Sequence, residues 1–287
     1  MKSNRISILG IKIDPITIEE AIERIISRDG KAHPAFVVKP YVEFFSSSHR
    51  RTLNQAWLSL PDGVALQWAA YYQSNTRRNF LSLITSLCAI VIRPHKIRNP
   101  IPDKFAGTNF TWPLLEAAAE KGKSVYLVGS PVANEITHTR DFIKKRLPKI
   151  DIVGTLPGRD ESGVFSAQLE AQLIQEINRR RPDIVLIGIG FPRQELLMER
   201  ILPRISSGIL IGEGGTFDYQ QFGGAHKKAP LFIQKVGLEW LWRLALQPSR
   251  IKRQIAIPRF IWRVYRFTKA GENQYHKVNL KKRKRNS

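Results

Sequence analysis

Cysteine occurs once in 287 residues, at Cys88, so no intramolecular disulfide can form and the fold must rest on its core. That scarcity fits a reducing compartment. Long apolar runs are also missing. The longest uncharged one, FLSLITSLCAIVI at 80–92, has 13 residues, short of the ~20 that a straight spanning helix needs. The opening MKSNRISILGIKID lacks an apolar h-region, so no signal peptide is expected. No two aspartates stand two residues apart, which removes the D-x-D pair as a metal holder. The six histidines (33, 49, 95, 138, 226, 276) have no ligand spacing. Neither G-x-G-x-x-G nor G-x-x-x-x-G-K-[ST] is present, so the dinucleotide and Walker fingerprints are excluded. Cys88 lies in the apolar run and reads as inert rather than nucleophilic. Acids are few: 24 against 46 Lys and Arg, a formal charge of +22. Such an excess points to an anionic partner, either nucleic acid, a phosphate-rich substrate or a lipid surface.

What is present is a core. Hydrophobic residues make up 43% of the chain, arranged in alternating strand and helix signals. ISILGIKI (6–13), AFVV (35–38), SVYLVG (124–129), IDIVGT (150–155), DIVLIGIG (183–190) and GILIGEGG (208–215) read as strands. Helices are expected over 17–27, with Thr17 as cap and Glu20 three residues on, and over 107–122, 134–147, 166–181 and 194–205. Continuous apolar strands separated by helices mean a mostly parallel sheet with helices on both faces. The expected class is therefore α/β, Rossmann-like and doubly wound.

Ligands of such sheets bind beyond the carboxyl ends of the strands. Three glycine stretches fall there: VGS (128–130), GIGFPRQE (188–195) and GEGGTFD (212–218). Their backbone N–H groups and the following helix N-termini suit a diphosphate, although plain chain reversal explains any one of them. GIGFPRQE delivers the polar cluster Arg193-Gln194-Glu195 at the tip of a strand. In LPDGVAL, Asp62 precedes an apolar helix, and it reads either as an N-cap or as a base aimed into the cleft. With metal and covalent options weak, the chemistry left is acid–base, with cations neutralising a phosphate leaving group.

The composition changes after about residue 240. Between 243 and 285 stand 14 Lys or Arg and one acid, Glu272, interleaved at first with Trp, Phe and Ile. The expected division is a core over 1–238 with an apolar insertion near 74–103, a basic, aromatic, helical appendage over 239–268, and a solvated, disordered tail over 269–287. The appendage suits an anionic membrane surface.

Seven segments in order resemble the WecG/TagA/CpsF glycosyltransferase family: ILGIKIDPITIEEAI, LPDGVAL, GTNFTWPLLEAAAEKGKSVYLVGS, IDIVGT, PDIVLIGIGFPRQE, IGEGGTFDYQQFGGAHKKAP and GLEWLWRLALQPSR. The resemblance implies an inverting, metal-independent transfer of a sugar from a UDP donor to a polyprenyl-diphosphate-linked sugar. The transfer would serve cell-surface polysaccharide assembly, with the protein peripheral on the cytoplasmic face of the membrane and without a cofactor. It implies Asp62 as general base, with Gln194 and Lys104 as further catalytic candidates, and it implies that the cluster Arg193-Gln194-Glu195 faces the cleft. Lys39, Tyr41, Gly129, Gly190, Phe217 and Asp218 become substrate-binding candidates, and Arg243, Arg250 and Arg253 are implied to close over the diphosphate. The chain departs from the family pattern at Lys39 and Tyr41 (usually Thr-x-Asn), at Lys104 and Asn109 (usually Arg and Asp), and at Lys228 (usually Arg). Lysine keeps the charge but loses the bidentate fork. The segment 74–103 is longer than usual.

Two alternatives stand beside this reading. One is a family member without catalysis that only binds UDP-sugar or lipid. The other is a nucleic-acid-binding protein, against which no RNP, HTH or KH pattern appears, so no nucleic-acid partner is expected. A homo-oligomer stays open.

Overall fold

The computed structural model describes residues 5–267 apart from 47, 76–78, 130–134, 236–238 and 247–250. Arg250, Ser130 and the 269–287 tail thus lie outside the described residues. The strands are β1 (Ile6–Ile8), β2 (Ile11–Ile13), β3 (Ala35–Val38), β4 (Leu58–Ser59), β5 (Ser124–Gly129), β6 (Asp151–Pro157), β7 (Ile184–Gly188) and β8 (Ile209–Gly212). The last six form one sheet in the order β4-β3-β8-β7-β5-β6, and every neighbouring pair is parallel.

Period-two alternation splits the core between the two faces. Val125, Leu127, Ile184, Leu186, Ile209 and Ile211 pack with helices Ile18–Ser27, Gly107–Glu120 and Ile136–Arg146. Tyr126, Val128, Val185, Ile187 and Leu210 pack on the other face with helices Val64–Ser74, Ala167–Arg180 and Arg193–Ile201. The Thr17–Glu20 capping box is formed as the sequence predicts.

Three expectations change. Residues 6–13 are not one strand but the hairpin β1–β2, in which Leu9 and Gly10 turn with positive φ and Ile8 pairs Ile11. Strand β4 and helix Arg50–Gln55 had no signal of their own; β4 has two residues, too few for periodicity to show. The appendage is not uniformly peripheral. Residues 256–267 are helical, and Phe260, Val264 and Tyr265 are buried in the same core cluster as Phe45. The rings of Phe45 and Phe260 meet edge-on at 4.9 Å. Phe260 is therefore a core residue and not a membrane anchor, whereas Trp262 and Phe267 are exposed.

Candidate active site

The chain leaves β3 at Val38 and continues as Lys39-Pro40-Tyr41; it leaves β4 at Ser59 and continues as Leu60-Pro61-Asp62. These two exits are bonded side by side, the Asp62 N–H donating to the Pro40 carbonyl at 2.9 Å. A third loop joins them, because the Phe105 N–H donates to the Pro61 carbonyl at 2.7 Å. Asp62 and Lys104, far apart in sequence, are each one residue from that bond. The N-cap of helix Val64–Ser74 is Gly63, with φ of +94° and no side-chain cap. The capping reading of Asp62 is thereby corrected: Asp62 precedes the cap, half-buried at the rim. A Cβ at Gly63 would meet the Tyr41 ring at 3.2 Å, so Tyr41 covers this turn.

Lys104 Nζ donates to the Gln234 carbonyl at 3.0 Å and to Glu239 Oε1 at 3.2 Å. Lys228 Nζ donates to Asn109 Oδ1. Burial, the largest cause, pulls the Lys228 ammonium below the usual lysine range; neighbouring Lys104 adds to this and Glu239 opposes it. The two lysines stand around the start of helix Gly107–Glu120, whose N-cap, Ala106, offers no side-chain acceptor. The first-turn N–H groups and the helix dipole thus favour an anion at this point. Gly107 is needed there, since a Cβ would lie 2.1 Å from Thr216 Oγ1. A cavity of about 180 Å³ opens beside the cluster, lined by Lys104, Asn109, Asp103 and Gln67 and, from the insertion, by Ile97 and Arg98. It is smaller than the ~300–1,000 Å³ of a typical ligand cleft, so it takes only part of a large ligand. A smaller recess on the other side is lined by Gly107, Thr108, Tyr219, Lys227 and Lys228.

The polar cluster Arg193-Gln194-Glu195 is largely buried. Arg193 is exposed, but Gln194 is 3% exposed and Glu195 is fully buried. Gln194 Oε1 accepts from the Gly190 and Gly214 N–H groups at 3.1 and 2.9 Å, and its Nε2 donates to Glu195 Oε1 at 2.8 Å. It ties the loop after β7 to the loop after β8, both at the carboxyl ends of the strands, and is not an exposed side chain. Glu195 is pushed up to about 7 by burial, against the opposing bond from Gln194 and the charge of Lys39. Lys39 is likewise not at the surface. Its side chain is 5% exposed, and Nζ lies 2.7 Å from Glu213 Oε2, which also accepts from Thr111 Oγ1 at 2.6 Å.

Gly129 also has another physical reason. A Cβ there would meet Phe217 Cδ2 at 3.0 Å, and one at Gly188 would meet it at 2.8 Å. The ring of Phe217, buried at 2%, rests on both glycines, so packing alone already requires glycine at 129. Gly190 does face open space, at φ of +81°. Asp218 is half-buried next to Phe217, and its carbonyl accepts from the His226 N–H at 2.8 Å. Arg243 lies in helix Glu239–Leu246 and Arg253 in helix Ile251–Gln254.

Sequence reasoning named Asp62 and Lys104 as separate candidates but passed over Gln67, Asp103, Gln234 and Glu239, and over the buried acid Glu213. A charge ending the apolar run ILIGE was a readable signal for Glu213; Gln67, Asp103, Gln234 and Glu239 had none. Among the described residues no three His, Cys, Asp or Glu side chains come together as a candidate metal site. No helix among them is long and apolar enough to cross a membrane.

Comparison with known proteins bears on this geometry. The model of the glycosyl transferase WecG/TagA/CpsF family matches residues 6–96 and 89–274. An N-acetylglucosaminyldiphosphoundecaprenol N-acetyl-beta-D-mannosaminyltransferase of Bacillus spizizenii is 27% identical over 196 residues, covering 68% of this chain and 72% of its own. The protein of the same name from Staphylococcus aureus is 24% identical over 266 residues, covering 91% and 92%.

Proposed function

Since the chain belongs to the WecG/TagA/CpsF family of glycosyltransferases, which its sequence matches over most of its length, we propose the following reaction. It moves an N-acetylmannosamine-type sugar from a UDP donor to a polyprenyl-diphosphate-linked N-acetylglucosamine, with inversion and without a metal. The transferred sugar and the acceptor follow the names of the relatives; the UDP carrier is part of the proposal. The observation that supports the reading is the 2.7 Å bond between Phe105 and Pro61, which joins the loop carrying Asp62 to the loop carrying Lys104, just ahead of the N-terminus of helix Gly107–Glu120.

In this reading Asp62 takes the proton of the acceptor hydroxyl as its oxygen attacks the anomeric carbon. The bond from that carbon to the diphosphate oxygen breaks, and UDP leaves carrying the electron pair. Lys104, Lys228 and the first-turn N–H groups of helix Gly107–Glu120 neutralise the departing diphosphate. The protein works peripherally on the cytoplasmic membrane face, held in part by its basic C-terminal residues.

The test is a screen of UDP-sugars against a soluble diphosphate-linked acceptor analogue, reading released UDP with and without EDTA. Release from UDP-N-acetylmannosamine that survives EDTA supports the reading. Activity that vanishes in EDTA and returns with Mg²⁺ or Mn²⁺ removes the metal-free part. Binding of the donor with no turnover by any UDP-sugar favours a non-catalytic binding protein.

A further inference from the structure

The insertion forms a capped and docked helix, Phe80–Ile92, in place of a loop. Asn79 Oδ1 accepts from the Ser82 N–H at 2.8 Å, Leu83 is buried, and Trp68 Nε1 donates to Ser86 Oγ at 3.0 Å. These contacts pin one side of the helix to helix Val64–Ser74. The other side is exposed and apolar. Phe80, Leu81, Ile84, Cys88, Val91 and Ile92 are exposed, Leu81 at 70% and Ile92 at 73%. At ~100° per residue these six fall within an arc of about 120°. A surface helix normally turns charged and polar residues outward; here Thr85 is the single polar exposed position within the helix. An apolar face of this kind needs a cover.

Charge identifies the cover. From residue 63 to residue 102 there is no Asp or Glu, while there are five Lys or Arg. Arg93, Lys96 and Arg98 follow the helix at once and are exposed. Apolar residues on one face with cations at the end form the pattern that an anionic bilayer surface takes up. The helix is too short to cross, at ~20 Å against ~30 Å of hydrocarbon. The inner side of the same segment, through Ile90, Ile97 and Arg98, lines the cavity that holds Lys104.

We propose that helix Phe80–Ile92 is a lipid-docking wall. Its outer arc lies in the interface of an anionic membrane, and its inner side brings the Lys104 cavity to the level where a lipid-linked diphosphate emerges. The choice of a bilayer as partner rests on the acceptor assigned under the proposed function; the surface assignment has its own readout.

The single cysteine lies on the proposed face, so the full chain can be labelled at Cys88 with a polarity-sensitive fluorophore. With phosphatidylglycerol–phosphatidylcholine vesicles the emission should shift to the blue, and brominated lipid should quench it. Leu81→Glu with Ile92→Glu, both at exposed positions, should abolish the shift and weaken vesicle partitioning at least about tenfold. Val164→Glu, an exposed apolar position elsewhere, should change neither. The proposal is overturned if the chain sediments with vesicles while the label stays in water, because other residues then hold the membrane. It is overturned equally if the shift appears without lipid as protein concentration rises, which assigns the face to a second copy. A lipid-dependent shift in a protein that releases no UDP from any UDP-sugar supports the docking wall and counts against the transfer reading alone.

Discussion

Lys39 separates the sequence reading from the structure. The sequence makes it a substrate contact, whereas the structure seals it under the site against Glu213, the two side chains 5% and 0% exposed. Replacing Lys39 with Met keeps the volume and removes the cation. Glu213 is then left as a buried carboxylate with the Thr111 hydroxyl at 2.6 Å as its remaining partner among the contacts described. Breaking a buried pair on one side costs about 3–5 kcal/mol. At roughly 2–4 °C per kcal/mol for a large domain, the midpoint should fall by roughly 6–20 °C. Lys39→Met with Glu213→Gln should recover most of that, since Gln carries no charge and still accepts from Thr111. Thermal unfolding of the four proteins of this cycle gives the coupling directly. Lys39 is also among the charges that restrain Glu195, so its loss should move the Glu195 titration upward. A single variant that keeps its midpoint but raises the donor KM would refute the argument and return Lys39 to the binding surface.

Three further outcomes follow. Asp62→Asn should keep the unfolding midpoint, because Gly63 and not Asp62 caps the helix, and should cut turnover by about 10²–10⁴-fold; retention of more than half the rate would remove the base assignment. Gly188→Ala puts a methyl group 2.8 Å from Phe217 and 3.0 Å from the Gly214 carbonyl, so it should destabilise by about 1–3 kcal/mol in urea titrations, with much of the loss recovered by Phe217→Leu. Glu195 has its folded pKa raised to about 7 by burial. The stability it contributes is full below its unfolded value and is lost as pH rises through 7, so Glu195→Gln should flatten the pH–stability curve between about 4.5 and 7 and be the more stable protein at pH 8; identical curves for the two proteins would contradict this.

Five of the six strands of the parallel sheet were legible as mainly apolar segments of four or more residues, β4 with two residues being the exception, and the helices between them keep a 3.6-residue period. Thr17 and Glu20 marked a helix start through chemistry local to four residues. The failures share a cause, in that they concern contacts between distant segments. ISILGIKI alternates as one strand would, and only the positive φ at Leu9 and Gly10 folds it back. VGS and GIG resemble ligand turns, but Gly129 and Gly188 are small because Phe217, from another loop, needs the room. Gln194 was placed correctly in the helix that follows β7, but nothing in PRQE says that its amide closes on Gly190 and Gly214. Of the site itself, Asp62, Lys104 and Lys228 were readable as residues; that Asp62 and Lys104 stand together depends on the bond from Phe105 to Pro61.

The C-terminal arginines require a finer instrument than deletion. Truncation after residue 238 would remove Phe260, Val264 and Tyr265, which are 2%, 0% and 8% exposed and belong to the main core. At about 1.5–3 kcal/mol for each large side chain withdrawn from water, three such residues hold roughly 5–9 kcal/mol, comparable with the ~5–15 that a whole domain has to spare. The same cut removes Glu239, which holds Lys104 at 3.2 Å. The truncated chain should therefore lose turnover through unfolding and through a misplaced Lys104, whatever the arginines do. Thermal scans will show this as a midpoint many degrees lower. If the midpoint is instead unchanged, the packing of 256–267 is not what stabilises the core, and the loss of turnover reverts to Arg243, Arg250 and Arg253. Single substitutions Arg250→Glu and Trp262→Ser keep Phe260, Val264 and Tyr265 in the chain, and Trp262 is exposed. The first should lower turnover on a soluble acceptor analogue, and the second should lower vesicle binding alone.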